Sequence, residues 1–160
     1  MVAVDVSGLR VRYGDLVAVD DLSLTVDEGS TVVLLGPNGA GKTTTIACLV
    51  GLQRPDAGTV RVLGVDPVAA RARVGVMPQS GGVQPGIKPL EALRLYAALY
   101  DDPLDPVALL DRVGLTDRVG TTWRRLSGGE QQRLSLALAL VGRPALIDGV
   151  RCVSPLGSAP

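Results

Sequence analysis

The eight residues Gly36-Pro-Asn-Gly-Ala-Gly-Lys-Thr43 constrain this chain more than any other stretch of it. They follow the pattern of a phosphate-binding loop (P-loop): a glycine, four residues, then Gly-Lys-Thr. Before the loop, Thr31-Val-Val-Leu-Leu35 is a continuous apolar run rich in branched residues, which predicts a strand buried on both faces. After it, Thr43 to Leu52 predicts a helix stopped by Gly51 and Pro55. Glycines let successive N–H groups curl inward onto phosphate oxygens, and the following helix adds its N-terminal dipole. Lys42 can reach the terminal phosphates of a nucleoside triphosphate, and the Thr43 hydroxyl can coordinate Mg²⁺. The expected ligand is ATP with Mg²⁺. Its candidate contacts are Gly36, Pro37, Asn38, Gly39, Ala40, Gly41, Lys42, Thr43 and Thr44.

Composition narrows the setting of this loop. A length of 160 residues with 46% hydrophobic residues supports one globular domain with a sizeable core. Sixteen Lys and Arg balance sixteen Asp and Glu, so charge gives no reason to expect nucleic acid as a partner. The sequence contains no histidine, which excludes a Ser-His or Cys-His nucleophile system and a His general base. Cys48 and Cys152 are far apart and in no metal-like spacing, and no signal peptide precedes them, so a reduced cytosolic setting is expected. No apolar run approaches the roughly 20 residues needed to cross a bilayer, so any membrane role must come through a partner.

Other elements follow from periodicity. Val2 to Gly14 alternates on both sides of Ser7-Gly8 and predicts a β-hairpin or two short antiparallel strands. Leu22 to Val26, Thr59 to Leu63 and Arg73 to Met77 predict further strands. Leu90 to Tyr100 and Pro106 to Val113 carry helical spacing. Glu130 to Val141 alternates in part like a strand, but its Ala, Leu, Gln and Glu content favours a helix. Ser127 followed three residues later by Glu130 decides it, because that spacing is a capping box.

The second constellation is Leu126-Ser-Gly-Gly-Glu-Gln-Gln-Arg133. A capped helix start explains Ser127 and Glu130, but not two helix-weakening glycines in the first turn. A Ser-Gly-Gly helix start is also a good anion site. A P-loop followed at this distance by LSGGEQQR resembles the nucleotide-binding domain of an ATP-binding cassette (ABC) transporter, over roughly residues 2 to 144. The general flavour is similar to bacterial exporters of the multidrug type. The resemblance implies an α/β fold: a P-loop NTPase core with N-terminal antiparallel β-strands and a helical subdomain, about residues 88–141, carrying the signature motif. It implies that Ser127, Gly128, Gly129 and Glu130 contact ATP held by a second ATP-binding cassette, in a homo- or heterodimer. Tyr13 matches the aromatic that stacks on adenine, and Gln79 the loop glutamine that touches Mg²⁺ and couples to a transmembrane permease subunit. Trp123 is expected to pack rather than react. The implied location is cytoplasmic, at the inner face of the membrane through the permease.

The chain also departs from that pattern. The family continues with a buried strand ending in Asp-Glu, a Walker B pair whose Glu polarises the attacking water, and later supplies a switch histidine. Here Ala145-Leu-Ile-Asp148 is short for that strand, Gly149 follows the Asp, and there is no histidine. The expectation is a truncated cassette, residues 1–144, with an aberrant, disordered tail at 145–160, that binds ATP and hydrolyses it poorly. Thr31 to Leu35 would then have an unpaired apolar edge, favouring association and low stability. Two other readings are a non-catalytic or regulatory fragment that pairs with a complete cassette, and a different P-loop enzyme such as a kinase or GTPase. LSGGE, and the lack of a guanine-reading Asn-Lys-x-Asp motif, speak against the last.

Overall fold

Val2 to Tyr13 builds one long strand, β1, rather than the two short ones expected on either side of Ser7-Gly8. The reason is a bulge in place of a turn. Gly8 adopts φ +61°, donates its N–H to Ser23 Oγ at 2.9 Å, and the pairing shifts register there without reversing the chain. The reversal comes later, at Gly14-Asp15, and strand β2 (Leu16–Asp27) returns antiparallel with Tyr13 opposite Leu16 and Val4 opposite Val26. Strand β3 (Ala57–Val62) lies antiparallel on the other edge of β1, giving the order β2-β1-β3.

The computed structural model describes residues 1–77 and 83–149; Gln79 and residues 150–160 lie outside them. Two units are present, Met1–Arg71 and Ala72–Gly149. In the first, Val4, Val6, Leu9, Val11 and Val62 supply buried side chains from the sheet. Helix α1 (Lys42–Leu49) lies against β2 and β3 and buries Thr45 and Cys48, and burial pushes the Cys48 thiol up. Helix α2 (Pro67–Ala70) is capped by Asp66, whose carboxylate accepts the Val68 N–H at 2.9 Å.

Thr31 to Leu35 does not form the buried strand that its apolar run predicts. The segment is in no strand, and Val32, Val33 and Leu35 are 53%, 67% and 79% exposed. Apolar periodicity reports what a segment would bury, but a strand also needs a neighbour for its N–H and C=O groups. No described strand pairs with this one.

In the second unit, helices α3 (Pro89–Ala97), α4 (Pro106–Arg112) and α5 (Gly128–Leu140) enclose a core containing Leu93, Leu109, Leu110, Leu115, Leu126, Leu134 and Leu138. Trp123 packs against that core half-buried, in keeping with a packing role. Each fully buried leucine contributes roughly 1.5–3 kcal/mol of apolar burial. Asp105 caps α4, accepting the N–H groups of Val107 and Ala108 at 3.3 and 3.1 Å. Strand β4 (Val74–Met77) pairs in parallel with β5 (Leu146–Gly149), Val74 opposite Leu146 and Met77 opposite Gly149. The tail expected from residue 145 onward therefore opens with an ordered strand. Four residues suffice because β4 offers a matching edge and Ala145 N–H is already fixed on the Arg73 carbonyl at 2.8 Å.

Candidate functional site

The loop from Gly36 to Gly41 folds as the sequence predicts, into a turn that opens on helix α1. Ala40 N–H donates to Pro37 C=O at 3.3 Å, and Thr45 N–H donates to Gly41 C=O at 2.8 Å. Gly41 is the cap of α1, at φ +77° with no side-chain cap. That left-handed backbone disfavours a β-carbon, and space forbids one: a Cβ on Gly41 would strike the Ala18 carbonyl oxygen and approach Val19 Cγ2 to 2.8 Å. The loop is thus seated on β2, and the first N–H groups of α1 lack helical acceptors.

Lys42 reaches back along the loop. Its ammonium donates to the carbonyls of Gly36 at 2.8 Å and Pro37 at 2.6 Å. Two of its three donors thereby brace the turn, and the third remains for an anionic oxygen. Pro37, Asn38, Gly39, Ala40 and Thr43 are exposed, Lys42 and Thr44 half-buried. A Cβ on Gly39 would meet nothing within 4 Å, so the space over the loop is open. Exposed main-chain donors at a helix start, one ammonium and one exposed threonine hydroxyl form a donor set that fits a triphosphate with Mg²⁺.

Tyr13 stands at the end of the β1–β2 hairpin, 51% exposed. Its cross-strand partner Leu16 precedes Ala18 by two residues, about 7 Å along the strand, and Ala18 is the residue against which Gly41 rests. The hairpin therefore brings Tyr13 close along the strand to the place where the P-loop is seated. Gln79 lies outside the described residues.

In the second unit, Ser127 caps α5 and forms the expected box with Glu130: Glu130 N–H donates to Ser127 Oγ at 3.3 Å, and Ser127 N–H to Glu130 Oε2 at 2.7 Å. Gly128 and Gly129 need not be glycine for packing among the described residues. A Cβ on Gly128 would meet nothing within 4 Å, and one on Gly129 only the Arg133 guanidinium at 3.9 Å. Beside them is a cleft of about 550 Å³ lined by Arg118, Gly120, Thr121, Arg125, Leu126, Ser127 and Glu130.

Two features had no signal in the sequence. Arg118 Nε donates to Glu130 Oε1 at 2.7 Å, and this pair with the Ser127 bonds holds the Glu130 carboxyl down to about 2. Asp148, on β5, has a buried Oδ2 with no hydrogen-bond partner among the described residues, and burial pushes its carboxyl up to about 6. Neither the spacing of Arg118 to Glu130 nor the burial of Asp148 follows from local periodicity.

Comparison with known proteins bears on the family and the fold. The sequence profile of the family described as ABC transporter matches residues 19–147. Nod factor export ATP-binding protein I of Ralstonia nicotianae is 38% identical over 151 residues, which cover 89% of this chain and 47% of that protein. Its namesake in Sinorhizobium fredii is 39% identical over 158 residues, 91% of this chain and 45% of that one. The chain thus spans about half the length of the curated relatives it matches. Among solved structures, an ATP-binding subunit of an ABC transporter aligns with TM-score 0.79 at 27% identity, covering 92% of this chain and 65% of its own. An ATP-binding cassette of an ABC transporter in its ADP conformation gives the same TM-score at 20% identity over 92% of this chain and 67% of its own, which bears on fold alone. With its α/β fold, N-terminal antiparallel sheet, P-loop and Ser-Gly-Gly helix start, the chain belongs to the ABC transporter family.

Proposed function

We propose that this chain binds MgATP through Gly36 to Thr44 and serves as an ATP-binding subunit of a transporter, docked on a transmembrane permease at the inner face of the membrane and paired with a second cassette. The observation that carries the reading is the seated loop: Gly41 fixed on β2 and Lys42 bonded to the Gly36 and Pro37 carbonyls, with exposed donors around them. Bound MgATP supplies the γ-phosphoryl group and a metal charge that offsets its oxygens. Main-chain N–H groups of the loop and Lys42 hold the phosphates, Thr43 holds the metal, and Tyr13 stacks on the base. Gln79 is assigned a part at the metal on its position in the sequence alone. The names of the relatives, Nod factor export ATP-binding proteins, favour outward transport.

Ser127, Gly128 and Gly129 serve the nucleotide of the second cassette. Two glycines that the described packing does not require leave room for a group from outside, and the first-turn N–H groups of α5 suit an anion. Hydrolysis is weak in this reading. Gly149 after Asp148 offers no carboxylate to polarise water. A phosphate-release assay on the purified chain tests this: release no faster than that of Lys42→Ala is expected, and steady turnover abolished by Lys42→Ala would overturn it. Co-purification with a membrane permease tests the docking.

A further inference from the structure

We propose that Arg118 is a positioning residue, which aligns Ser127 for its contact across the cassette pair by gripping the Glu130 carboxylate; this rests on the trans-contact reading of Ser127 to Gly129. The two oxygens of Glu130 are divided between two tasks. Oε2 accepts the Ser127 N–H at 2.7 Å, and Oε1 accepts Arg118 Nε–H at 2.7 Å. A capping carboxylate held at one oxygen still turns about its terminal torsion, whereas one held at both is fixed in plane. With both oxygens engaged, Glu130 aligns the helix start. The Ser127 hydroxyl accepts from Glu130 N–H and keeps its own proton for an outside oxygen.

Arg118 is itself well based. It ends a short 3-10 turn, Thr116–Arg118, and its N–H donates to the carbonyl of the fully buried Leu115 at 2.9 Å. Arg118 and Glu130 both line the cleft that Ser127 also lines. The side chain of Arg118 is 52% exposed and that of Glu130 is 15% exposed. An ion pair with so open a partner adds little to folding stability, so its removal should alter alignment more than melting. The carboxyl of Glu130, held at about 2 chiefly by Arg118 and then by Ser127, stays ionised throughout the neutral range.

Sedimentation velocity of the whole chain in MgATP and in MgADP tests the proposal, with a fluorescent ATP analogue reporting affinity at each chain's own P-loop. The unsubstituted chain should associate more strongly in MgATP, and Ser127→Ala should abolish that difference. Arg118→Ala should weaken the ATP-dependent association about tenfold, the scale of one hydrogen bond to a charged group, with analogue affinity and melting temperature close to the parent. Arg118→Lys, which restores a cation, should recover association to within about threefold; Arg118→Gln, which removes the charge and keeps the stem, should weaken it as Arg118→Ala does and carries the test should Arg118→Ala fail to fold. Association of Arg118→Ala or Arg118→Gln at the parental level, with Ser127→Ala inactive, would overturn the positioning role alone. Equal association of the unsubstituted chain in MgATP and MgADP would overturn the trans contact and the positioning role together.

Discussion

Gly41 and Ala18 approach so closely that a single methyl group on Gly41 would overlap the Ala18 carbonyl oxygen. A strand of the antiparallel sheet thereby sets where the P-loop ends and where α1 begins. Gly41→Ala meets two penalties: a left-handed backbone at φ +77°, costing roughly 1–2 kcal/mol for a β-carbon, and the overlap itself. The variant should melt several degrees lower and bind MgATP at least about tenfold more weakly, read by thermal denaturation and by titration with a fluorescent analogue.

Tyr13, at the end of the hairpin whose second strand seats Gly41, should contribute to nucleotide affinity through its ring alone. Stacking of a base on an aromatic side chain is worth about 1–3 kcal/mol. Tyr13→Ala should therefore weaken ATP binding by roughly five- to a hundredfold, while Tyr13→Trp retains it. Because Tyr13 is 51% exposed, neither change should move the melting temperature much. Equal affinity in the alanine and tryptophan variants would remove the ring from the site.

Asp148 gives a pH dependence of defined sign. Its carboxyl is pushed up to about 6 in the folded chain, against about 3.9 in an unfolded one. The folded state thus favours the protonated form, and the group becomes destabilising as it ionises. Stability should fall as pH rises from about 4 to about 6 and level off above, by no more than about 1 kcal/mol once solvent around this half-buried group is allowed for. Asp148→Asn should flatten that fall in melts recorded between those limits. A fall of the same size in the variant would assign it to another group.

The P-loop and the Ser127–Glu130 box were legible because each is a local device: the spacing of glycines, a lysine and a cap dictates the backbone without reference to distant residues. The same holds for α3 and α4, whose apolar periodicity matches one packed core, and for α5, which its capping box decides against a partly strand-like pattern. Reading failed where the outcome depended on a neighbour. Ser7-Gly8 looks like a turn, but the Ser23 hydroxyl and the pairing with β2 make it a bulge. Val32, Val33 and Leu35 read as a buried strand but are exposed, because no described strand offers them an edge. Ala145 to Asp148 begins like a strand but is short for one, and only the edge of β4 makes Leu146 to Gly149 a strand. Arg118 was invisible for the same reason, since its partner is set by how the 3-10 turn packs beside α5.

The central claim is that the loop around Lys42 holds MgATP, and isothermal titration of the purified chain with MgATP measures it most directly. One saturable, Mg²⁺-dependent site is expected, weakened at least about tenfold in Lys42→Ala, as the loss of a charge-assisted bond to phosphate requires. Absence of saturable binding, or equal affinity in the parent and Lys42→Ala, would contradict it.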